Sequence, residues 1–481
     1  MNRFFVASIL AVIFLNIVSC RKEWSDFDTS SSVELSFSAD TVRFDTVFTT
    51  IPTVTKWILV RNNSKKYIKI SRVYLENGSS SAFRLNVDGD TSLTSHDVIV
   101  ASRDSFYIFI TADLHYLQNI NTPFEVLDNI VFELNGNKQQ VVLQAWGQNA
   151  YYHFPNMVHK IPLIEGDTQY MHYFEWDCDN ATPVDKPHVF FGHAAVAQGK
   201  SWTIPSGAKL YFAGGAGVWV KQGGVLDVQG TFTNPVLFTS LRQDYDYKTM
   251  PGQWSGIWID AGSDGNQINY ANIFNAQYGV MIDSSTTSNN ALEIYNTRIE
   301  NMTRYGILSQ KNYIKGVNIV VGNCATGVGL LRGGGATFFH CTFTNYYSSF
   351  GGAYSLVLND YSGEQTEPFA FADFINCIIY GKTDDQINFD LKEKTNLPYL
   401  FDHCIVGTSV KNNKFVSCSS NDPVFTKESE GNYEISSEKS PAVKAGNTTY
   451  SDPMAYRDIK NILRGTPPTI GAYEFVKQVN P

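Results

Sequence analysis

Charge is what this chain has least of. Asp, Glu, Lys and Arg make up 17% of the 481 residues, a low share for a globular protein. The formal net charge is −9, and the basic residues nowhere cluster. Without a basic footprint, nucleic acid is excluded as a partner. Long apolar runs are scarce too. The most apolar segment, residues 4–18, is broken by Ser8 and Asn16 and falls short of the ~20 residues a bilayer-spanning helix needs. Few segments are long enough for a helix with its own apolar face. Residues 33–149 contain no cysteine, which rules out an inter-sheet disulfide there.

What is present favours strands. Hydrophobic residues make up 43% and aromatics 14%, with 36 glycines. This composition suits a β-rich extracytoplasmic protein. Residues 202–282 carry the strongest signal. Short β-branched and aromatic runs such as KLYF, GVWV, GIWI and GVMI are cut by Gly, Asn and Asp. Runs of this kind read as strands. Their regular recurrence points to an all-β solenoid, a right-handed parallel β-helix. Asn275, Asn301, Asn323 and Asn345 recur at intervals of 26, 22 and 22 residues. Gly279, Gly306 and Gly327 recur alongside them, at 27 and 21. Asn at equivalent bends predicts a hydrogen-bonded ladder. Past residue 330 the register is open, because Cys324 and Cys341 are only 17 apart. FINCIIYG and LFDHCIVG align at Cys377 and Cys404.

The rest of the chain divides around that stretch. Residues 1–19 have a positive Arg3, a short apolar core and a small residue before Cys20, which predicts an export signal. Residues 20–32 form a polar, Ser-rich tether. Residues 33–149 alternate apolar and polar in seven or so short runs, with turns at Asn62-Asn63, Asn77-Gly78, Asp88-Gly89 and Asn135-Gly136. That pattern predicts an immunoglobulin-like β-sandwich, read as a spacer or cap. Residues 150–200 form a junction and N-cap holding His153, His159, His172, His188 and His193. These histidines are too scattered for a zinc site. The solenoid spans 201–420, and a C-terminal capping module spans 421–481. Cys178, Cys324, Cys341, Cys377, Cys404 and Cys418 are read as reduced, mostly interior thiols.

Several segments resemble known families. Ser19-Cys20 after the apolar run resembles a bacterial lipobox, in which the Cys20 thiol is acylated and anchors the chain to a membrane. Glu23, Asp26 and Asp28 resemble the export tag of surface lipoproteins in Bacteroidetes-type bacteria. The tract KPHVFFGHAAVAQGKSWTIPSGAKLYFAGGAGVWVKQGG through PGQWSGIWI resembles a Bacteroidetes lipoprotein family with a sandwich followed by a right-handed parallel β-helix. That resemblance implies a lipid-anchored protein of the outer membrane, facing the cell surface, and carries over no catalytic residues. The segment from Asn421-Asp422-Pro423 to Ile470-Gly471-Ala472-Tyr473-Glu474 resembles the terminal module of bacterial β-helix proteins, whose chain folds across the last rung.

Three functions follow as expectations. The first is a binding or scaffold protein with a glycan ligand, held by exposed rings: Tyr245, Tyr247 and Trp254, then Tyr346, Tyr347 and Tyr361. The alternative packing for Trp254 and Trp258 is against the wall of the helix. The second is a polysaccharide lyase or glycoside hydrolase. A lyase would use Asp260, Asp264 and Asp283 around a Ca²⁺ ion, with Arg298, Arg304, Lys311 or Lys315 as base. Without that activity no cofactor is expected. Asp384-Asp385 resembles the paired carboxylates of polygalacturonases, but the other motifs of those enzymes are missing. The third is an accessory subunit docked on another outer-membrane protein.

Overall fold

The computed structural model describes residues 26–49, 53–114, 124–162, 168–244, 247–284, 291–346, 354–393, 397–449 and 452–477. Cys20, the apolar segment before it, Tyr245 and Tyr347 lie outside the described residues. The described residues are all-β with short 3₁₀ turns and contain no helix long and apolar enough to cross a membrane. The chain forms two compact units, residues 1–149 and 150–481.

The first unit is a two-sheet sandwich of nine strands. They are β1 (Leu35–Phe37), β2 (Thr41–Phe48), β3 (Lys56–Asn62), β4 (Ile68–Leu75), β5 (Phe83–Val87), β6 (Thr94–Val100), β7 (Ser105–Ala112), β8 (Phe124–Leu134) and β9 (Asn137–Gln148). One sheet runs β1-β3-β7-β5 and the other β2-β9-β8-β4-β6. Period-2 alternation decides which side chains enter the core. In β7, Phe106, Ile108, Ile110 and Ala112 are buried while Ser105, Tyr107 and Phe109 face out. Phe44 of β2 meets Phe83 of β5 across the core, ring centroids 5.8 Å apart. Asn135 and Gly136 both take positive φ, 51° and 85°. That is the two-residue hairpin turn joining β8 to β9.

The second unit is a stack of rungs paired in parallel along three ladders. The first ladder carries His193–Val196, Gly217–Val220, Gly256–Ile259 and Val280–Ile282 in successive rungs. The second carries Ser201–Pro205, Val225–Gln229, Asn266–Asn269 and Leu292–Tyr295. The third is a ten-stranded parallel sheet that begins at Tyr151–His153 and ends at Ile405–Val406. Parallel pairing thus starts about fifty residues before the boundary expected at 201. The junction histidines explain why. His153 and His188 stack at 5.2 Å inside the first rungs, with Nε2 and Nδ1 3.0 Å apart.

Identical inward positions in adjacent rungs sit ~4.8 Å apart, so flat rings stack. Phe190, Phe212 and Trp254 form one column, with centroids 4.9 and 4.3 Å apart. Phe374, Phe401 and Phe415 form another, each 4.8 Å from the next. From Tyr270 onward, each rung turns between the second and third ladders through a left-handed residue: Tyr270, Asn296, Asn318, His340, Asn376, His403 and Ser417. Asn tolerates this conformation better than most residues, and its amide then reaches the previous rung. Asn318 donates to Asn296 Oδ1 at 2.9 Å, and Asn296 to Asn269 Oδ1 at 3.1 Å. Asn275, Asn301 and Asn323 occupy the corner after the third ladder, and Asn301 donates to Asn275 Oδ1 at 3.1 Å. Two corners, each with its own series, resolve the register problem at Cys324.

The residue after each left-handed corner points inward. In four consecutive rungs it is cysteine: Cys341, Cys377, Cys404 and Cys418. The Cys341 and Cys377 amides each lie 3.4 Å from the next Sγ in the column. All six described cysteines are free. Burial pushes the Cys324 thiol up to about 12.

The C-terminal module departs from the expected closure across the last rung. It lies along the outside of the third ladder, over several rungs. Phe425, Tyr433, Ile435, Ile470 and Tyr473 pack on Val320, Ile378 and Ile405. A Cβ on Gly322 would strike the Tyr433 ring, so the small residue there admits the module.

Candidate functional site

Of the six rings expected to hold a ligand, the four described ones, Trp254, Tyr346, Tyr361 and Tyr247, do not form one surface. Trp254 is 0% exposed. It stacks on Phe212 and donates Nε1 to the Phe274 carbonyl at 2.7 Å. It is therefore a core residue, which corrects its assignment as a platform. Tyr346 packs edge-on to Phe425 at 6.0 Å, in the interface with the C-terminal module. Tyr361 lies on a separate two-stranded hairpin, bonded to Asp390 at 2.9 Å. Tyr247 sits in a turn with the Arg242 guanidinium 3.1 Å from its ring centre.

The structure builds a different site, on the outer face of the first ladder. Outward positions there run Ala195, Trp219, Trp258, Met281 and Leu308, one per rung. This apolar column is a second, external core. The antiparallel hairpin Met157–Pro162 and Thr168–Glu175 covers its first part. Met171 and Ile161 pack there with Ala195, Trp219, Tyr173 and Trp258. Trp219 is 6% exposed, and Trp258 stacks 5.9 Å from it.

Beside the hairpin strands lies a groove, with a cavity of about 390 Å³. Trp258 and Met281 form its floor, Tyr170 and Met171 one wall, and Gln277 and Tyr278 the other. Arg304 lies over the Tyr278 ring, 5.6 Å from its centre, and donates to its hydroxyl at 3.2 Å. Asp283 stands at the end of the floor. Its carboxylate accepts from Trp258 Nε1 at 2.9 Å and from Gln310 Nε2 at 3.0 Å, while Asn312 holds its carbonyl at 2.7 Å. Asp260 takes the equivalent position one rung earlier, since Ile259 pairs with Ile282. Burial holds its carboxyl above the usual range, the Asp283 charge adds to this, and the Trp219 indole opposes it.

Backbone geometry fixes this arrangement. Gly217, Gly256, Gly279, Gly306 and Gly327 stack at the corner leading into the first ladder. A Cβ on Gly279 would strike the Gly306 carbonyl oxygen and Ile299. The groove residues follow each glycine at constant offset, so GIWID and GVMID place Trp258 over Met281 and Asp260 over Asp283. That repeat is the signal by which sequence alone could have found the site.

The residues expected for a lyase are dispersed. Arg298 pairs with Glu300 at 2.6 Å under the C-terminal module. Lys315 pairs with Asp452 at 2.6 Å and Lys311 with Glu367 at 3.0 Å. Of the four bases, Arg304 contacts a groove residue, through the Tyr278 hydroxyl. Among the described residues no group of three or more His, Cys, Asp or Glu is placed to hold a metal. The single carboxylate lining the groove, Asp283, with Asp260 one rung earlier, does not fit the Ca²⁺ cluster that a lyase requires.

No protein-family model matches the chain, and no curated protein matches it. Solved structures do. The PapD-like domain 7 of human CEP192 is 13% identical and covers 24% of this chain and 86% of its own, with a TM-score of 0.18. A family 123 glycoside hydrolase from Clostridium perfringens is 9% identical over 25% of this chain and 30% of its own, with a TM-score of 0.19. The catalytic domain of a GH87 alpha-1,3-glucanase, in complex with nigerose, is 10% identical over 76% of this chain and 80% of its own, with a TM-score of 0.14. Scores this low carry no argument about activity.

Proposed function

We propose that this protein is a lipid-anchored envelope protein that binds a neutral glycan in the Trp258 groove. In this reading an immunoglobulin-like sandwich precedes a right-handed parallel β-helix, and Cys20 carries the anchor at the outer membrane. The observation that carries the binding reading is the groove itself. Trp258 and Tyr278 offer ring faces for sugar stacking. Asp283, oriented by Trp258 and Gln310, offers acceptor oxygens to sugar hydroxyls. A carboxylate at the floor disfavours a polyanionic chain, which points away from uronates.

Affinity electrophoresis in gels containing xylan, β-glucan or dextran tests the reading. Retardation in at least one gel, reduced tenfold or more by Trp258→Ala and by Asp283→Asn, is expected. Equal mobility of wild type and both variants in every gel would remove it. The anchor is tested separately. Cys20→Ser should release the protein from the membrane fraction and abolish fatty-acid labelling.

The stacked carboxylates favour a second reading, glycoside hydrolysis. Asp260, whose carboxyl burial raises, would act as acid, and hydrogen-bonded Asp283 as base or nucleophile. Release of reducing ends from a retained glycan, abolished by Asp260→Asn, would establish it. Retention without release assigns the groove to binding alone.

A further inference from the structure

The sandwich carries a second surface, independent of the groove. On the outer face of the sheet β1-β3-β7-β5, cross-strand partners form an ordered grid. Trp57 pairs with Phe109, Leu59 with Tyr107, and Arg61 with Ser105. Asn86 flanks Phe109 on β5, and Ser36 flanks Arg61 on β1. Trp57, Tyr107 and Phe109 are 55%, 47% and 43% exposed. The alternate residues Ile58, Val60, Phe106, Ile108 and Ile110 already fill the core on the other side. The three rings therefore have no structural duty inside the sandwich. They support one another instead. Trp57 meets Tyr107 edge-on at 5.3 Å, and Tyr107 stacks with Phe109 at 6.1 Å.

The grid ends in a positive notch. Arg61, Asn62, Asn63, Arg103, Asp104 and Ser105 line a polar hollow of about 430 Å³. Neither guanidinium joins an ion pair among the described residues. Asp104 is the one carboxylate lining the hollow, and its Oδ1 accepts the Ser105 amide at 2.8 Å. Two arginines against one carboxylate leave local positive charge on a chain whose net charge is −9. Guanidiniums pair bidentately with two oxygens of a carboxylate or of a sulfate. From Arg61 to Trp57 the strip runs four residues along β3, ~14 Å at strand rise. That suits several linked rings better than one small molecule.

We propose that this strip binds an extended acidic polysaccharide, with sugar rings over Trp57, Tyr107 and Phe109 and acidic groups held by Arg61 and Arg103. Three contiguous exposed rings on one sheet face, Trp57, Tyr107 and Phe109, offer such a chain its stacking platform. The adjoining unpaired arginines select a polyanion over an apolar partner. Stacking sets the position of the chain, and the notch sets its charge class.

Gels containing polygalacturonate, dextran sulfate or plain dextran test this with the full chain. Polygalacturonate and dextran sulfate separate the carboxylate source from the sulfate source. Retardation is expected in at least one polyanion gel, weakening as salt rises. Trp57→Ala with Tyr107→Ala should reduce it tenfold or more. Arg61→Gln with Arg103→Gln should do the same and remove the salt dependence. All four side chains lie on the surface, so melting midpoints should match wild type and keep the comparison interpretable. The proposal is overturned by undiminished retardation in either double variant, or by equal retardation in dextran and dextran sulfate. A concentration-dependent dimer that Trp57→Ala dissolves, without polyanion retardation, would assign the face to a second copy instead. The groove reading is decided by the neutral gels, so the two fail separately.

Discussion

At the scale of single residues, burial rather than charge pairing sets the chemistry of the second unit. His153 and His193 are each held down to about 4 from an ordinary 6.5, chiefly by burial. His188 is lowered for the same reason. The nearby Asp185 charge opposes that shift, whereas His188 itself adds to the shift of His153. An imidazole neutral in the fold and protonatable when unfolded favours the unfolded state as pH falls. The penalty is absent above the unfolded value of 6.5 and grows as pH falls towards about 4. The melting midpoint of the second unit should therefore drop between pH 7 and pH 5. His153→Gln should flatten that slope, and a midpoint independent of pH over this range would refute the account.

At the scale of elements, the corner before each first-ladder strand is the most constrained feature. Gly279→Ala forces a Cβ into the Gly306 carbonyl and Ile299, and backbone oxygen cannot rotate aside. A loss of about 3 kcal/mol in denaturant unfolding is expected, with weaker glycan retention because Tyr278 lines the groove beside it. The sequence shows this corner plainly, since AGV, SGI, YGV, YGI and TGV repeat the same glycine before a β-branched residue. It also shows the Asn275–Asn301 ladder and the interior Cys377 and Cys404. It hides which aromatics are free. Trp254 and Trp258 sit four residues apart in one motif, yet one enters the core column and the other floors a groove. Facing decides that difference: Trp254 turns inward onto Phe212, whereas Trp258 points outward on the first ladder beside Met171 and Trp219.

At the scale of the whole molecule, the second unit is held shut along its side. Arg464 is 8% exposed, and burial lowers it to about 10. It joins the C-terminal module to the rungs, donating to Asn318 Oδ1 at 2.7 Å and to the Gly471 carbonyl at 3.0 Å. Glu474 lies 3.6 Å away. Arg464→Leu removes one partner and leaves Glu474 and Asp458 without their cation. Breaking a buried pair in this way costs about 3–5 kcal/mol. Limited proteolysis should then cut within residues 421–481 at denaturant concentrations where the wild type resists.

Sequence by itself determined the all-β class, the division near residue 150, the repeating rungs and the reduced interior cysteines. Each rests on local alternation or spacing, which side-chain sterics translate directly into strands and turns. Only the tertiary structure decided where the rungs begin, that the C-terminal module lies along the third ladder, that Trp254 is core, and that Trp258 and Asp283 line one groove. Those outcomes depend on which surfaces distant segments cover, and coverage is a property of packing between residues far apart in the chain.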